Sequence, residues 1–236
     1  MGDRDIIVVG ASLGGYNALP QFAASLPKDF AAAVLVVMHM DPNDSNWLAE
    51  RVARASALPS AAAVKKEELR PGRIYVAIPD HHLMIQGSRI RLTRGPRENH
   101  SRPSIDALFR SAAYECGSRV IGVVLTGQLD DGTAGLWAIK DRGGLAIVQS
   151  PEEAAYPSMP ASALRHVKTD YTLPLRDMPT VLHKLTQEVA HRMESCVMPD
   201  ENLEVETRIA AQRFSCIAIA ARSGGLMTQY SSHTAQ

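Results

Sequence analysis

Several stretches of this chain are apolar at every position, where a half-buried strand would alternate and a surface helix would repeat every three or four residues. They are Ile6 to Val9, Ala33 to Met38, Val120 to Leu125 and Leu145 to Val148, with Ile74 to Ile78 of similar character. Such runs predict strands covered on both faces, the pattern of a parallel sheet. Between them the spacing turns helical. Ala18, Leu19, Phe22 and Ala23 recur within Tyr16 to Ser25, with Pro20 in the opening turn or so, and Trp47, Leu48 and Val52 follow a cap at Asp44 or Ser45. Ile105, Leu108, Phe109, Ala112 and Ala113 lie between a Ser104 cap and Gly117, and further helices are predicted at Thr133 to Asp141 and Met178 to Ser195.

Leu83 to Gln86 and Arg89 to Leu92 flank Gly87-Ser88, a two-residue hairpin signal that predicts an antiparallel excursion of the sheet. The alternation of strand and helix argues for an α/β fold: a doubly wound, mostly parallel sheet with an antiparallel β-hairpin. Residues 1–195 read as one domain. Residues 196–236 read as a C-terminal extension, packed on the domain or partly disordered, in which no element is predicted.

Composition narrows the function classes. The chain has 236 residues and 45% hydrophobic content, enough for a real core, and its 25 basic and 25 acidic residues cancel. A balanced charge argues against a nucleic-acid binder that works by neutralising phosphates. Cys116, Cys196 and Cys216 form no C-x-x-C pair, so neither a structural zinc site nor a disulfide framework is encoded, and a cytoplasmic location is expected. The N-terminus lacks the pattern of a signal peptide, and no apolar stretch approaches the ~20 residues needed to span a bilayer, so no membrane insertion is expected.

The chemistry collects where strands end. Gly10-Ala11-Ser12-Leu13-Gly14 fits G-x-S-x-G between a strand and a helix, which places a serine hydroxyl at a helix N-terminus beside free backbone N–H groups. Taken alone, the turn reads equally as a nucleophile elbow, a phosphate-binding turn or a plain glycine turn. Serine needs a base. His39 follows the Ala33–Met38 run and falls near the same sheet edge. The third group, a carboxylate orienting the imidazole, is Asp131 in Leu125 to Gly132, with Asp130 as its competitor and a helix cap as its plain structural role. The order Ser, His, Asp differs from that of the usual α/β-hydrolases. Asp80-His81-His82 has metal-ligating residue types, but adjacent side chains diverge and no further ligand set lies nearby, so no metal site is expected. His166, His183 and His191 read as surface or packing residues on helices.

Across about residues 5 to 190 the chain resembles the catalytic domain of the chemotaxis protein-glutamate methylesterases, the CheB family. The landmarks are Val8 to Gly15, Met38-His39-Met40, Leu69 to Ala77, Asp80 to Leu83, Ser101 to Asp106, Leu125-Thr126-Gly127 with Asp131-Gly132, and Ser158-Met159-Pro160. The resemblance implies a Ser-His-Asp triad of Ser12 as nucleophile, His39 as general base and acid, and Asp131 as orienting acid, with no cofactor. It implies hydrolysis of glutamyl methyl esters on a methylated chemoreceptor-like signalling protein, with glutamine deamidation in many members. Family members usually carry a receiver domain ahead of the catalytic one, and here a catalytic domain without it is expected, since the first landmark already lies at Val8 to Gly15. Two positions depart from the family pattern: Leu13 where threonine is common, and Leu129 where the loop usually has glycine. A leucine at 129 is expected to resist a positive φ. That raises a second reading, a catalytically weakened binding module of the same fold, and the Gly10–Gly15 turn leaves a third, a nucleotide-binding domain.

Overall fold

A computed structural model describes residues 4–188 and 201–211. The chain runs β1 (Ile6–Ala11), α1 (Gly15–Ala24), β2 (Ala33–Met38), α2 (Trp47–Ala55), β3 (Ser60–Ala62) and β4 (Arg73–Val76). Next come β5 (His82–Gln86), β6 (Arg89–Thr93), α3 (Ile105–Cys116), β7 (Val120–Val124), α4 (Thr133–Asp141) and β8 (Leu145–Gln149). α5 (Ser158–His166), β9 (Tyr171–Leu173), α6 (Met178–Gln187) and α7 (Glu201–Ala211) complete the described residues. The main sheet has seven parallel strands in the order β3-β4-β2-β1-β7-β8-β9.

The continuous apolar runs are explained by layers on both faces of the sheet. Ile7, Val9, Val34, Val36, Ile121 and Val123 pack in one core with Leu19 and Phe22 of α1 and Leu182 of α6. Their neighbours Val8, Leu35, Val37 and Val124 point the other way, into a core with Ile105, Leu108 and Phe109 of α3 and Leu136 and Ile139 of α4. Full burial of each such side chain contributes ~1.5–3 kcal/mol. A polar residue at any of these positions would leave one layer unsatisfied.

Several local expectations are corrected. β5 and β6 form a separate two-stranded sheet packed against α3, not an excursion of the main sheet. α2 starts after Asn46, which makes no side-chain cap hydrogen bond, and the Asp44 carboxylate instead accepts the Asp41 N–H in the preceding turn. Pro20 lies inside α1 rather than in its opening turn, and so removes the donor to the Tyr16 carbonyl. α6 ends at Gln187, and residues 189–195 of the expected longer helix lie outside the described residues, as does His191. In the extension, α7 docks on α3 and the hairpin. Leu203 and Ala210 are buried, Thr93 Oγ1 donates to the Ala210 carbonyl at 2.6 Å, and Arg91 donates to the Ala211 carbonyl at 3.1 Å. The hairpin thus supplies partners for carbonyls at the helix end. The apolar patch Cys216 to Ala221 lies outside the described residues. Among the described residues, no helix is long and apolar enough to cross a membrane.

The strand order matters for function. From β1 the chain winds outward through β2 to one edge, and from β7 through β8 to the other, so the winding reverses between the paired strands β1 and β7. A crevice opens beyond the carboxyl ends of strands at such a switch point. Ser12 and Asp131 follow these two strands, and His39 follows β2 alongside.

Candidate active site

The turn after β1 is sharp because Gly14 takes φ 83° and starts α1. A Cβ at that position would stand 2.8 Å from Thr126 Oγ1, so glycine serves both the left-handed backbone and the close approach of the loop after β7. That loop holds the turn in place. Ser12 N–H donates to the Thr126 carbonyl at 3.0 Å, and Thr126 Oγ1 donates to the Leu13 carbonyl at 3.0 Å. The Leu13 N–H has no acceptor among the described residues and lies at the N-terminal end of α1.

The register of β1 with β2 sets Ala11 opposite Met38, so Ser12 and His39 leave neighbouring strands side by side. Ser12 Oγ lies 3.0 Å from His39 Nδ1, and His39 Nε2 lies 2.6 Å from Asp131 Oδ2. The ring is used in the opposite sense from the serine-protease arrangement, where Nε2 faces the serine.

Asp131 is almost fully buried and ringed by donors. Besides His39, its Oδ2 accepts the Ile105 N–H at 2.8 Å. Its Oδ1 accepts from the Asp106 N–H at 3.0 Å, Ser104 Oγ at 3.0 Å and Asn99 Nδ2 at 2.7 Å. Burial pushes this carboxyl up, but the His39 hydrogen bond and charge, with the amides of Ile105 and Asp106, outweigh it and hold the group at about 2. Because the Asp131 carboxylate only accepts, the His39 Nε2 facing it is a donor, and in the neutral ring Nδ1 is then the acceptor that faces the serine hydroxyl.

A serine hydroxyl on an imidazole on a buried carboxylate, at the switch point of a parallel sheet, is an arrangement that can activate a serine for nucleophilic attack. Residues 7–182 match the family model described as CheB methylesterase. The chain belongs to the CheB methylesterase family. It is 37% identical over 185 residues to a putative protein-glutamate methylesterase/protein-glutamine glutaminase of Leptospira interrogans, covering 78% of this chain and 95% of that protein. A protein-glutamate methylesterase/protein-glutamine glutaminase of Thermotoga maritima is 35% identical over 184 residues, and the match spans 54% of its length. The crystal structure of the Thermotoga maritima CheB methylesterase catalytic domain superposes with a TM-score of 0.73 at 35% identity, covering 77% of this chain and 98% of that one.

Within this CheB fold the sequence landmarks acquire physical reasons. Ser101 to Asp106 supplies most of the cradle around Asp131. Ser104 begins α3, but its hydroxyl serves Asp131 instead of capping the helix. His82 is buried beneath it, donating from Nε2 to the Pro96 carbonyl at 2.7 Å and accepting the Ser104 N–H on Nδ1. His81 bonds the Pro79 carbonyl, and Asp80 pairs with Arg94 and Arg102. The Asp80-His81-His82 segment is thus engaged in holding the loop. Met159 of the Ser158-Met159-Pro160 landmark donates its N–H to the Gly127 carbonyl at 2.9 Å.

Asp130, the competing carboxylate, is exposed and makes no side-chain hydrogen bond among the described residues, while its carbonyl accepts the Thr133 N–H at 3.0 Å. Asp131 does not cap α4; Gly132 does. The expectation for Leu129 is overturned, since it takes φ 65° with its side chain 70% exposed. The side chain is largely exposed, and the loop keeps a left-handed turn at the usual cost of ~1–2 kcal/mol for a non-glycine residue.

Asn99 and Asp106 carry no motif signal that marks them as part of a triad. Asn99 sits in the left-handed region with φ 49° and donates to Asp106 Oδ2 at 2.8 Å as well as to Asp131. Asp106 Oδ1 accepts the N–H groups of Gly132 at 3.0 Å and Gly135 at 2.7 Å, pinning the start of α4. Burial, then the nearby Asp131 charge, pushes Asp106 up to about 7. Between roughly pH 4 and 7 the unfolded chain releases this proton and the folded chain keeps it, so stability from Asp106 falls as pH rises through that window. Asp131 acts oppositely, contributing fully above about pH 4 and losing its contribution as pH falls toward 2. Asp106→Asn should therefore flatten the decline of Tm between about pH 4 and 7 in thermal melts, and a slope equal to wild type would contradict it.

Proposed function

We propose that this chain is a serine esterase that removes methyl esters from glutamate side chains of a chemoreceptor-like signalling protein on the cytoplasmic side of the membrane. The observation that carries the reading is the linear Ser12–His39–Asp131 arrangement in a member of the CheB family. In this mechanism Ser12 Oγ attacks the ester carbonyl while His39 Nδ1 takes its proton. The Nε2–H stays bonded to Asp131, which stabilises the imidazolium. The oxyanion meets the unpaired Leu13 N–H at the head of α1, where the helix dipole also favours negative charge. His39 then protonates the departing methanol. Water, deprotonated by the same nitrogen, attacks the acyl-serine and releases the glutamate carboxylate. The same path with ammonia as leaving group would deamidate glutamine, the second activity in the names of the relatives.

The weakened-module reading rested on Leu129, and the left-handed turn accommodated there removes its support. The nucleotide reading rested on glycines whose conformation and spacing at Gly14 are accounted for by Thr126. For the organisation, we propose a catalytic unit of residues 1–195 with 196–236 as its extension. The family match at 7–182 supports this. The test is methanol release from membranes bearing methylated receptors, combined with labelling by a serine-directed fluorophosphonate. We expect released methanol and a label on Ser12. Wild-type protein that releases none, or takes the label elsewhere, would refute the reading.

A further inference from the structure

Of the donors to Asp131 Oδ1, the Asp106 N–H and Ser104 Oγ belong to the start of α3, while Asn99 Nδ2 comes from a loop. The Asn99 amide bridges two carboxylates, Asp131 Oδ1 at 2.7 Å and Asp106 Oδ2 at 2.8 Å. Where Asn99 sits therefore sets how Asp131 is turned toward His39. The loop is a tight turn. Glu98 and Ser101 exchange backbone bonds of 3.1 and 2.9 Å, and Asn99 and His100 between them take φ 49° and 61°. Positive φ at both central positions is the pattern of a type I′ turn, which asparagine favours. Such a turn presents Asn99 rigidly only while its ends stay in place. Among the described residues, Asn99 borders a cavity of about 540 Å³ shared with Thr133 and Trp137 of α4 and Leu203 of α7, so α4 does not pack it in place.

α7 holds this segment at two points. A Cβ at Gly95 would stand 2.1 Å from the Ala210 carbonyl oxygen, so the chain leading from β6 into the turn runs directly against the helix backbone. The bonds from Thr93 and Arg91 to the Ala210 and Ala211 carbonyls fasten the hairpin to the same helix end. One helical turn earlier, Glu206 Oε2 lies 3.2 Å from Arg110 Nε, and Arg110 Nη2 donates to the Glu98 carboxylate. The Arg110 side chain is only 10% exposed, and its planar fork is held between two carboxylates, which fixes geometry as well as charge. The Gly95 and Pro96 carbonyls are taken by Arg102 and His82, which leaves the Glu98 end of the turn to Arg110. α7 lies beyond residue 182, where the family match ends. We propose that α7 positions the catalytic carboxylate: through Ala210 on Gly95 and through Glu206, Arg110 and Glu98 it fixes the Asn99 turn, and Asn99 fixes Asp131 toward His39. Asn99 is the positioning residue and α7 its support. This inference rests on the methylesterase reading above.

The test measures kcat and KM on methylated receptor membranes and on p-nitrophenyl acetate. It also follows the downfield proton resonance of His39 Nε2–H, identified by its absence in His39→Ala. The variants, all in the full chain, are Asn99→Gly, Glu206→Lys, their combination, and Gly95→Ala. Glycine at 99 keeps the positive φ and removes only the amide. Glu206→Lys turns the contact with Arg110 into a repulsion at an exposed position, and Gly95→Ala drives a Cβ into the α7 backbone. Misplacement by about 1 Å can cost ~10²-fold. So kcat should fall about 10- to 100-fold for Asn99→Gly and about tenfold for Glu206→Lys and Gly95→Ala, on both substrates, with KM unchanged and the resonance moved upfield or lost. The combined variant should be little worse than Asn99→Gly alone, because both changes act on one path. Wild-type kcat and resonance in Glu206→Lys, read well below a lowered Tm, would reduce α7 to a structural role and overturn the proposal. So would losses that multiply in the combined variant, or a rise in KM confined to the receptor, which would assign α7 to substrate docking. If Gly95→Ala does not fold, Glu206→Lys and the combined variant decide. A wild type active on the small ester but inactive on methylated receptors refutes the methylesterase reading, and the small-ester kcat still decides the role of α7. A wild type inactive on both esters refutes both.

Discussion

Ser12→Ala should lower the rate of methanol release by about 10⁴- to 10⁶-fold while leaving the fold intact. The side chain makes a single hydrogen bond, to His39 Nδ1. The bonds that hold the turn, from Ser12 N–H to Thr126 and from Gly15 N–H to the Ser12 carbonyl, are backbone bonds and survive the substitution. Tm should therefore stay within about 2 °C of wild type, since loss of one part-exposed hydrogen bond is a small term. Triad members act as a unit, so His39→Ala should match the loss and the double variant should be little worse than either single one. A Ser12→Ala variant that releases methanol at the wild-type rate would remove the serine from the mechanism.

Asp131→Asn should lower kcat by about 10⁴-fold, and here stability should fall too. Every neighbour of this carboxylate is a donor: His39, Ile105, Asp106, Ser104 and Asn99. An asparagine must turn its NH₂ toward one group or the other. Facing His39, it donates to Nε2 and drives the ring proton to Nδ1, so no base faces Ser12. Facing the Asp106 N–H, Ser104 and Asn99, it sets donor against donor in a buried site, at ~1–3 kcal/mol for each group left unsatisfied. Either way the acid arm is lost while the shape is kept. Steady-state rates with thermal melts read both consequences. A variant with wild-type Tm and less than tenfold loss of rate would show that this carboxylate does not orient His39.

The contrast between Asp131 and Asp130 shows how far the chain could be read in one dimension. The two are adjacent, and both follow a buried strand. Apart from the family landmark Asp131-Gly132, no pattern within the segment ranks them. What separates them is α3, whose first amides arrive from 25 and 26 residues away and point at one carboxylate only. The same holds for Asn99 and Asp106. Ser104-Ile105-Asp106 carries an ordinary helix-start pattern, so its use as a cradle for a distant aspartate leaves no local trace. Leu129 was misread because a φ preference is a local energy of ~1–2 kcal/mol, and the tertiary loop around it overrides that amount. β3 and β9, three residues each, and α7 escaped notice because elements so short or so polar are stabilised by what they pack against.

By itself the sequence determined the parallel strands, through runs that only two-sided burial explains. It also placed Ser12 and His39 at the ends of neighbouring strands, and its landmarks pointed to the family that the comparisons established. Those features follow from periodicity and from residues close in the chain. The tertiary structure alone decided which donors surround Asp131, which ring nitrogen faces Ser12, that Leu129 stands exposed in a left-handed turn, and that α7 caps the hairpin side. Each of these depends on donors, acceptors and surfaces brought together from distant segments. Their energies come from burial and hydrogen bonding in three dimensions, which a linear pattern does not encode.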